Sequence, residues 1–151
     1  GITAWIHRFA NIVGSRGTHG VIYDFIHKLR DNNTRLEVLG DGRQEKSYMD
    51  VQDTVNAMLH VIGMHDDGVS LYNLGTDQTV SVSTIARIVV ESTGLADVKI
   101  EYTGGDRGWA GDVPRTWLDV EKLKSTGFQP KMTSEEAVRG CAERLISEIG
   151  I

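Results

Sequence analysis

Apolar residues along the chain keep changing their period, and that alternation is the first thing the sequence offers. Residues 2–13 form an apolar, β-branched run that picks up His7, Arg8 and Asn11 towards its end, and they read as one strand. A loop at 14–20 follows. Then Val21, Ile22, Phe25, Ile26 and Leu29 recur on one helical face, and the helix ends in the polar run 31–34. Residues 35–39 are a short strand, 44–51 a segment able to extend, and Asp53 or Thr54 an N-cap for an apolar-patterned helix from Val55 to about Met64. A turn at 65–68 leads to a strand at 69–74, closed by Gly75. Ser81 or Ser83 caps a helix through Ile85, Ala86, Ile88, Val89 and Val90 that stops at Gly94. Residues 98–102 alternate like an exposed strand, and 104–114 are glycine-rich and irregular. Asp119 caps a short helix ending at Gly127, with Pro130 just beyond. Thr133 and Glu136 make a capping box before the amphipathic stripe Ala137, Val138, Cys141, Ala142, Leu145, Ile146 and Ile149. Strands and helices in alternation predict an α/β fold.

Composition narrows the functional classes. A chain of 151 residues, 40% apolar and 25% charged, is expected to form one domain with its own core. The formal charge of −5 argues against nucleic acid and acidic membranes as partners but leaves room for a small anion held by a few local cations. No apolar run reaches membrane-spanning length. A single cysteine, Cys141, allows no internal disulfide and suits a reducing, cytoplasmic setting. The chain opens with Gly1 and runs straight into an apolar strand, as a piece of a longer polypeptide would.

Several motifs compete for chemistry. Gly14, Gly17 and Gly20 follow a strand and precede a helix, the context a dinucleotide pyrophosphate needs, with Glu37 or Asp41 as the acid expected about twenty residues on. Arg16, Thr18 and His19 are bulky where a backbone would approach phosphate, so a plain strand-to-helix loop is the expectation. The five histidines show no metal-ligand spacing, since His60 and His65 fall on different helix faces. Cys141 sits in an apolar stripe and reads as a core thiol. The stretch 40–54 joins a glycine turn around Asp41, the cations Arg43 and Lys46, and a capped helix. It reads either as an ordinary hairpin into a helix or as a place to hold an anion. The loop 104–115 groups Arg107, Trp109, Asp112 and Arg115, enough for a phosphate fork and a stacking surface; a solvated loop anchored by its tryptophan is the competing reading.

Four segments in order sharpen these choices: Arg-Phe-Ala-Asn-Ile-Val-Gly at 8–14, Gly-Asp-Gly-Arg-Gln-Glu-Lys-Ser-Tyr-Met-Asp-Val-Gln-Asp at 40–53, Leu-Tyr-Asn-Leu-Gly at 71–75, and Arg-Gly-Trp-Ala-Gly-Asp-Val-Pro at 107–114. Together they resemble the C-terminal half of the extended short-chain dehydrogenase/reductases, the NAD-dependent nucleotide-sugar epimerases and dehydratases, with the UDP-glucose 4-epimerase type nearest in pattern. The resemblance implies the C-terminal part of a Rossmann-like doubly wound fold plus the small substrate-binding subdomain, with residues 1–151 a single portion lacking the N-terminal NAD-binding half. It implies a UDP-sugar as the small-molecule ligand. Asn11 and Lys46 would lie on the diphosphate, Val38 and Leu39 by the base, Arg107 on a phosphate and Asp112 on the ribose or a backbone group. Phe9 would lie near the nicotinamide, in the complete enzyme only.

The sequence departs from the family in two places. Lys46 stands where an arginine is usual, and Trp109 stands where the C-terminal arginine is usual, Arg107 being two residues earlier. The family's catalytic tyrosine needs a lysine one helical turn away. Here Tyr23 is five residues from Lys28, Tyr48 is followed four on by Gln52, and Tyr102 by Asp106. The resemblance therefore implies NAD-driven oxidation and re-reduction at sugar C4 for the parent enzyme, with no catalytic residue, metal or cofactor expected in this chain alone. A free-standing nucleotide-binding module is the first rival, and a non-binding remnant held by oligomerisation through uncovered surfaces the second.

Overall fold

The computed structural model describes residues 1–64, 68–108 and 111–151. Most of the expected turn at 65–68, and Trp109, lie outside the described residues. Nine strands and five helices are present among those described, in the order β1 (Ala4–Phe9), β2 (Asn11–Val13), α1 (Val21–Asp31), β3 (Arg35–Val38), β4 (Glu45–Lys46), β5 (Tyr48–Asp50), α2 (Val51–Ile62), β6 (Val69–Leu74), β7 (Val80–Ser81), α3 (Val82–Thr93), β8 (Lys99–Tyr102), β9 (Arg115–Thr116), α4 (Glu121–Ser125) and α5 (Ser134–Ile149).

The expected strand at 2–13 is two strands that change partners at Ala10. β1 runs parallel to β6, from Ala4 opposite Val69 to Phe9 opposite Leu74, whereas β2 runs parallel to β5, with Asn11 opposite Tyr48. The switch is locked by backbone bonds from Ala10 N to Leu74 O and from Asn11 N to Ser47 O. The segment 44–51 is broken in the same way at Ser47. β4 forms the middle of a small sheet, antiparallel to β7 and parallel to β9, two short strands that the apolar pattern did not reveal. β3 and β8 pair in parallel, Arg35 opposite Lys99. Period alone could not locate these breaks, because a strand that switches sheets keeps its alternation.

Two apolar clusters result. The larger lies where α1, α3 and α5 meet β3, and holds Phe25, Ile26, Leu29, Leu36, Ile85, Val89, Val138 and Leu145 among others. The smaller gathers Met49, Ala57, Val61, Tyr72, Leu74 and Leu123 between α2, α4 and the β1–β6 pair. A buried polar knot ties them together. Ser134 Oγ is completely buried at the start of α5; it donates to Tyr48 O, accepts from Tyr48 N at 2.8 Å and lies 2.8 Å from Thr76 Oγ1, which in turn lies 3.1 Å from Ser47 Oγ.

The caps partly follow expectation. Ser81 caps α3, Gly94 ends it in the left-handed conformation, and Thr133 with Glu136 forms the capping box of α5. α2, however, starts at Val51 and is capped by Asp50, whose carboxylate accepts from Gln52 N, so neither Asp53 nor Thr54 is its N-cap. The cap of α4 is Val120, with Asp119 one residue earlier accepting from Glu121 N. Asp53, 3% exposed, instead accepts from the backbone amides of Lys131 and Met132 at 2.9 and 3.0 Å, fastening the approach to α5. Replacing Asp53 by alanine strips two amides of a charged acceptor and is expected to cost about 2 kcal/mol, read as a lowered urea midpoint at unchanged slope.

Candidate functional site

A cleft of about 660 Å³ opens between the larger cluster and the switch point of the strands. Asn11 lines it from β2, Gly14, Gly17, His19 and Gly20 from the loop ahead of α1, and Leu39 from beyond β3. Gln44, Lys46 and Tyr48 line it from the broken strand, and Gly108 and Asp112 from the glycine-rich segment. The first turn of α1 forms part of the wall, so the positive end of that helix lies at the cleft.

The strongest polar contact spans 66 positions in sequence. Lys46 Nζ donates to Asp112 Oδ1 at 2.7 Å, with side-chain exposures of 27% and 9%. Asp112 Oδ2 accepts from Gly108 N at 3.2 Å. Burial by itself pushes the Asp112 carboxyl up, but the bond from Lys46 and the amides of Gly108 and Val113 outweigh it and hold the group below the usual aspartate value. Tyr48 is pushed the other way, to about 12, first by burial and then by the negative charge of Asp112. A tyrosine so held stays protonated at neutral pH and offers a neutral hydroxyl, not a base.

Gln44 is 2% exposed, and its Nε2 donates to Leu39 O at 3.4 Å while Oε1 has no partner among the described residues. The turn above it requires glycine: Gly40 has φ 83°, and a β-carbon there would strike Gln44 Nε2 and Arg107 O.

The other residues singled out by the sequence divide. Asn11 reaches the cleft wall, but its Nδ2 donates to Ser47 O at 3.0 Å, bracing the switch between β2 and β4. Leu39 lies on the wall and is 43% exposed. Val38 does not join it: its side chain is fully buried in the larger core, and its carbonyl accepts from Thr103 N. Val38 is the last residue of β3 and points into the core, while Leu39 lies just past the strand and is free to face the cleft. Arg107 is also off the wall, half exposed beside Asp106, 3.9 Å away. Phe9, at the end of β1 and 50% exposed, is not on the wall either. Cys141 is 3% exposed in α5, its Sγ donates to Gly14 O, and burial pushes the thiol up, as suits a packing residue. Among the described residues no group of histidine, cysteine and carboxylate side chains is placed to hold a metal ion.

Several parts of the wall carry no binding role in the sequence reading, among them Gln44, Tyr48 and the first turn of α1, and the loop at 14–20 is expected there to be a plain strand-to-helix loop. Gln44, Lys46 and Tyr48 alternate, and that period of two was the available signal that all three face one way.

Comparison with known proteins agrees with this architecture. Residues 1–75 match the model of the NAD dependent epimerase/dehydratase family. A putative UDP-glucose 4-epimerase of Methanocaldococcus jannaschii is 29% identical over 143 residues, covering 92% of this chain and 44% of the relative. A solved UDP-galactose 4-epimerase is 42% identical with a TM-score of 0.81, over 96% of this chain and 46% of that one. The enzyme MoeE5, solved with UDP-glucose and NAD, is 27% identical with a TM-score of 0.78, over 97% and 48%. The chain thus spans less than half the length of the relatives it matches. By this family match and the shared fold, it belongs to the NAD dependent epimerase/dehydratase family.

Proposed function

We propose that this chain is the nucleotide-sugar-binding portion of an NAD-dependent sugar-nucleotide 4-epimerase-like enzyme and that its cleft takes a UDP-sugar. The observation that carries the reading is the meeting of Lys46 and Asp112 in one cleft with Asn11, Leu39 and the N-terminal turn of α1. An ammonium and a helix N-terminus on one wall suit a diphosphate. A carboxylate beside them suits hydroxyl donors such as those of a ribose, and the half-exposed Leu39 offers an apolar face to a base. Arg107 would have to swing from Asp106 to reach a phosphate, so Lys46 is the principal cation. Sequence relatives and the solved complex with UDP-glucose support this choice of ligand.

NAD does not fit the glycine loop of this chain. Arg16 has φ 58°, and its amide is committed to Glu148 Oε2 at 2.8 Å rather than left for a pyrophosphate. Neither Glu37 nor Asp41, the acids considered for a ribose, lies on the cleft wall. The hydride chemistry at sugar C4 therefore falls outside what these residues perform, and the isolated chain is expected to bind without turnover. The face of the β1–β6 pair bearing Ile6 and Val69, which are 46% and 69% exposed, would pack against an NAD-binding half. β1 pairs only with β6 among the described residues, and a parallel sheet is normally covered on both faces. Self-association through this face is the rival use of it.

Calorimetry with UDP, UDP-glucose and NAD tests the proposal. UDP and UDP-glucose are expected to bind and NAD is not. NAD binding that is lost when the 14–20 loop is altered would overturn it, and failure of all three would leave a non-binding remnant.

A further inference from the structure

Building on the UDP-sugar reading of the cleft, we propose that the Lys46–Asp112 pair is a latch whose two halves are exchanged together for the two ends of the ligand, so that binding at one end promotes binding at the other. The segment bearing Asp112 is anchored at its two ends by backbone. Gly104 N donates to Gly40 O at one end; at the other, Pro114 O accepts from Glu45 N and β9 pairs with β4. Between these anchors, the side-chain tie to the rest of the fold among the described residues is Lys46 Nζ to Asp112 Oδ1. Asp112 passes the restraint on, because its second oxygen holds Gly108 N on the cleft wall.

In this structure the cation meant for phosphate and the carboxylate meant for hydroxyls therefore satisfy each other. Asp112 is almost buried, so drawing Lys46 away without giving the carboxylate a new donor leaves a charge poorly solvated. A diphosphate alone strands Asp112, and a nucleoside alone strands Lys46. A molecule carrying both ends strands neither. The ammonium of Lys46 is one compact charge without the guanidinium's planar fork, so a phosphate that draws it in competes directly with Asp112.

The latch makes a reciprocal prediction. Inorganic pyrophosphate and uridine should each tighten the other's binding to the wild-type chain, by about fivefold or more and by the same factor in both directions. In Asp112→Asn, pyrophosphate alone should bind severalfold tighter than to wild type, and the coupling should vanish. Amide exchange supplies a readout without ligand: Gly108 should exchange faster in Lys46→Met while amides of α1, α3 and α5 keep their protection. Binding of UDP without pyrophosphate–uridine coupling would overturn the latch and leave the binding reading intact. No binding of UDP or pyrophosphate would overturn both. Unchanged exchange at Gly108 in Lys46→Met would show that the pair restrains nothing, and would overturn the latch whatever the ligands do.

Discussion

Lys46→Ala is expected to weaken UDP binding about ten- to a hundredfold, the loss of one charge-assisted bond to phosphate at about 1.5–3 kcal/mol. Two effects act in the same direction. The substitution removes the ammonium, and it leaves Asp112, held ionised at neutral pH, as an uncompensated negative charge facing an anionic ligand. Arg35→Ala is the control, because Arg35 pairs with Glu101 at 2.7 Å on the β3–β8 sheet and is absent from the cleft wall. It should leave the affinity within about twofold of wild type, since exposed pairs contribute little. Titration calorimetry at one fixed salt concentration decides between them. Equal losses in the two variants would remove Lys46 from the site.

Ile26→Ala should be among the most damaging single truncations for stability, at about 2–5 kcal/mol. Ile26 is fully buried on α1, in the cluster where that helix meets α3, α5 and β3, so the removed atoms leave a cavity among three helices. That cost is a large share of the roughly 5–15 kcal/mol that holds a domain together. Leu59→Ala, on the outward face of α2 and 64% exposed, is the comparison and should cost under about 0.5 kcal/mol. Urea denaturation reads both, with a shifted midpoint and an unchanged slope for Ile26→Ala. Similar midpoints for the two variants would refute the placement of the core. Because α1 also supplies a cleft wall, Ile26→Ala should weaken UDP binding wherever it loosens that helix.

The helices are legible in the sequence, and the reason is local. The stripe Val21, Ile22, Phe25, Ile26, Leu29 and the capping box at Thr133 both depend on residues three or four apart, whose relation is fixed by helix geometry whatever the rest of the chain does. The α/β class follows from the same local periods. Of the cleft, Lys46, Asp112, Leu39 and Asn11 are reached through the resemblance to one family. The same resemblance points to Val38 and Arg107, which lie off the wall.

Other features are settled only when distant segments meet. The strand break at Ala10 exists because β1 and β2 find different partners, in β6 and β5, and the break at Ser47 because β4 pairs with β7 and β9 while β5 pairs with β2, all partners far along the chain. Asp53 reads in the sequence as one of two candidate N-caps, and becomes a clamp only when residues 131–132 arrive beside it. Lys46 and Asp112 lie 66 positions apart, and no period or propensity relates them. Short-range sterics and hydrophobic spacing therefore wrote the helices and the alternation into the chain, while partner exchange between strands and the pairing of β9 with β4 brought the two charges together.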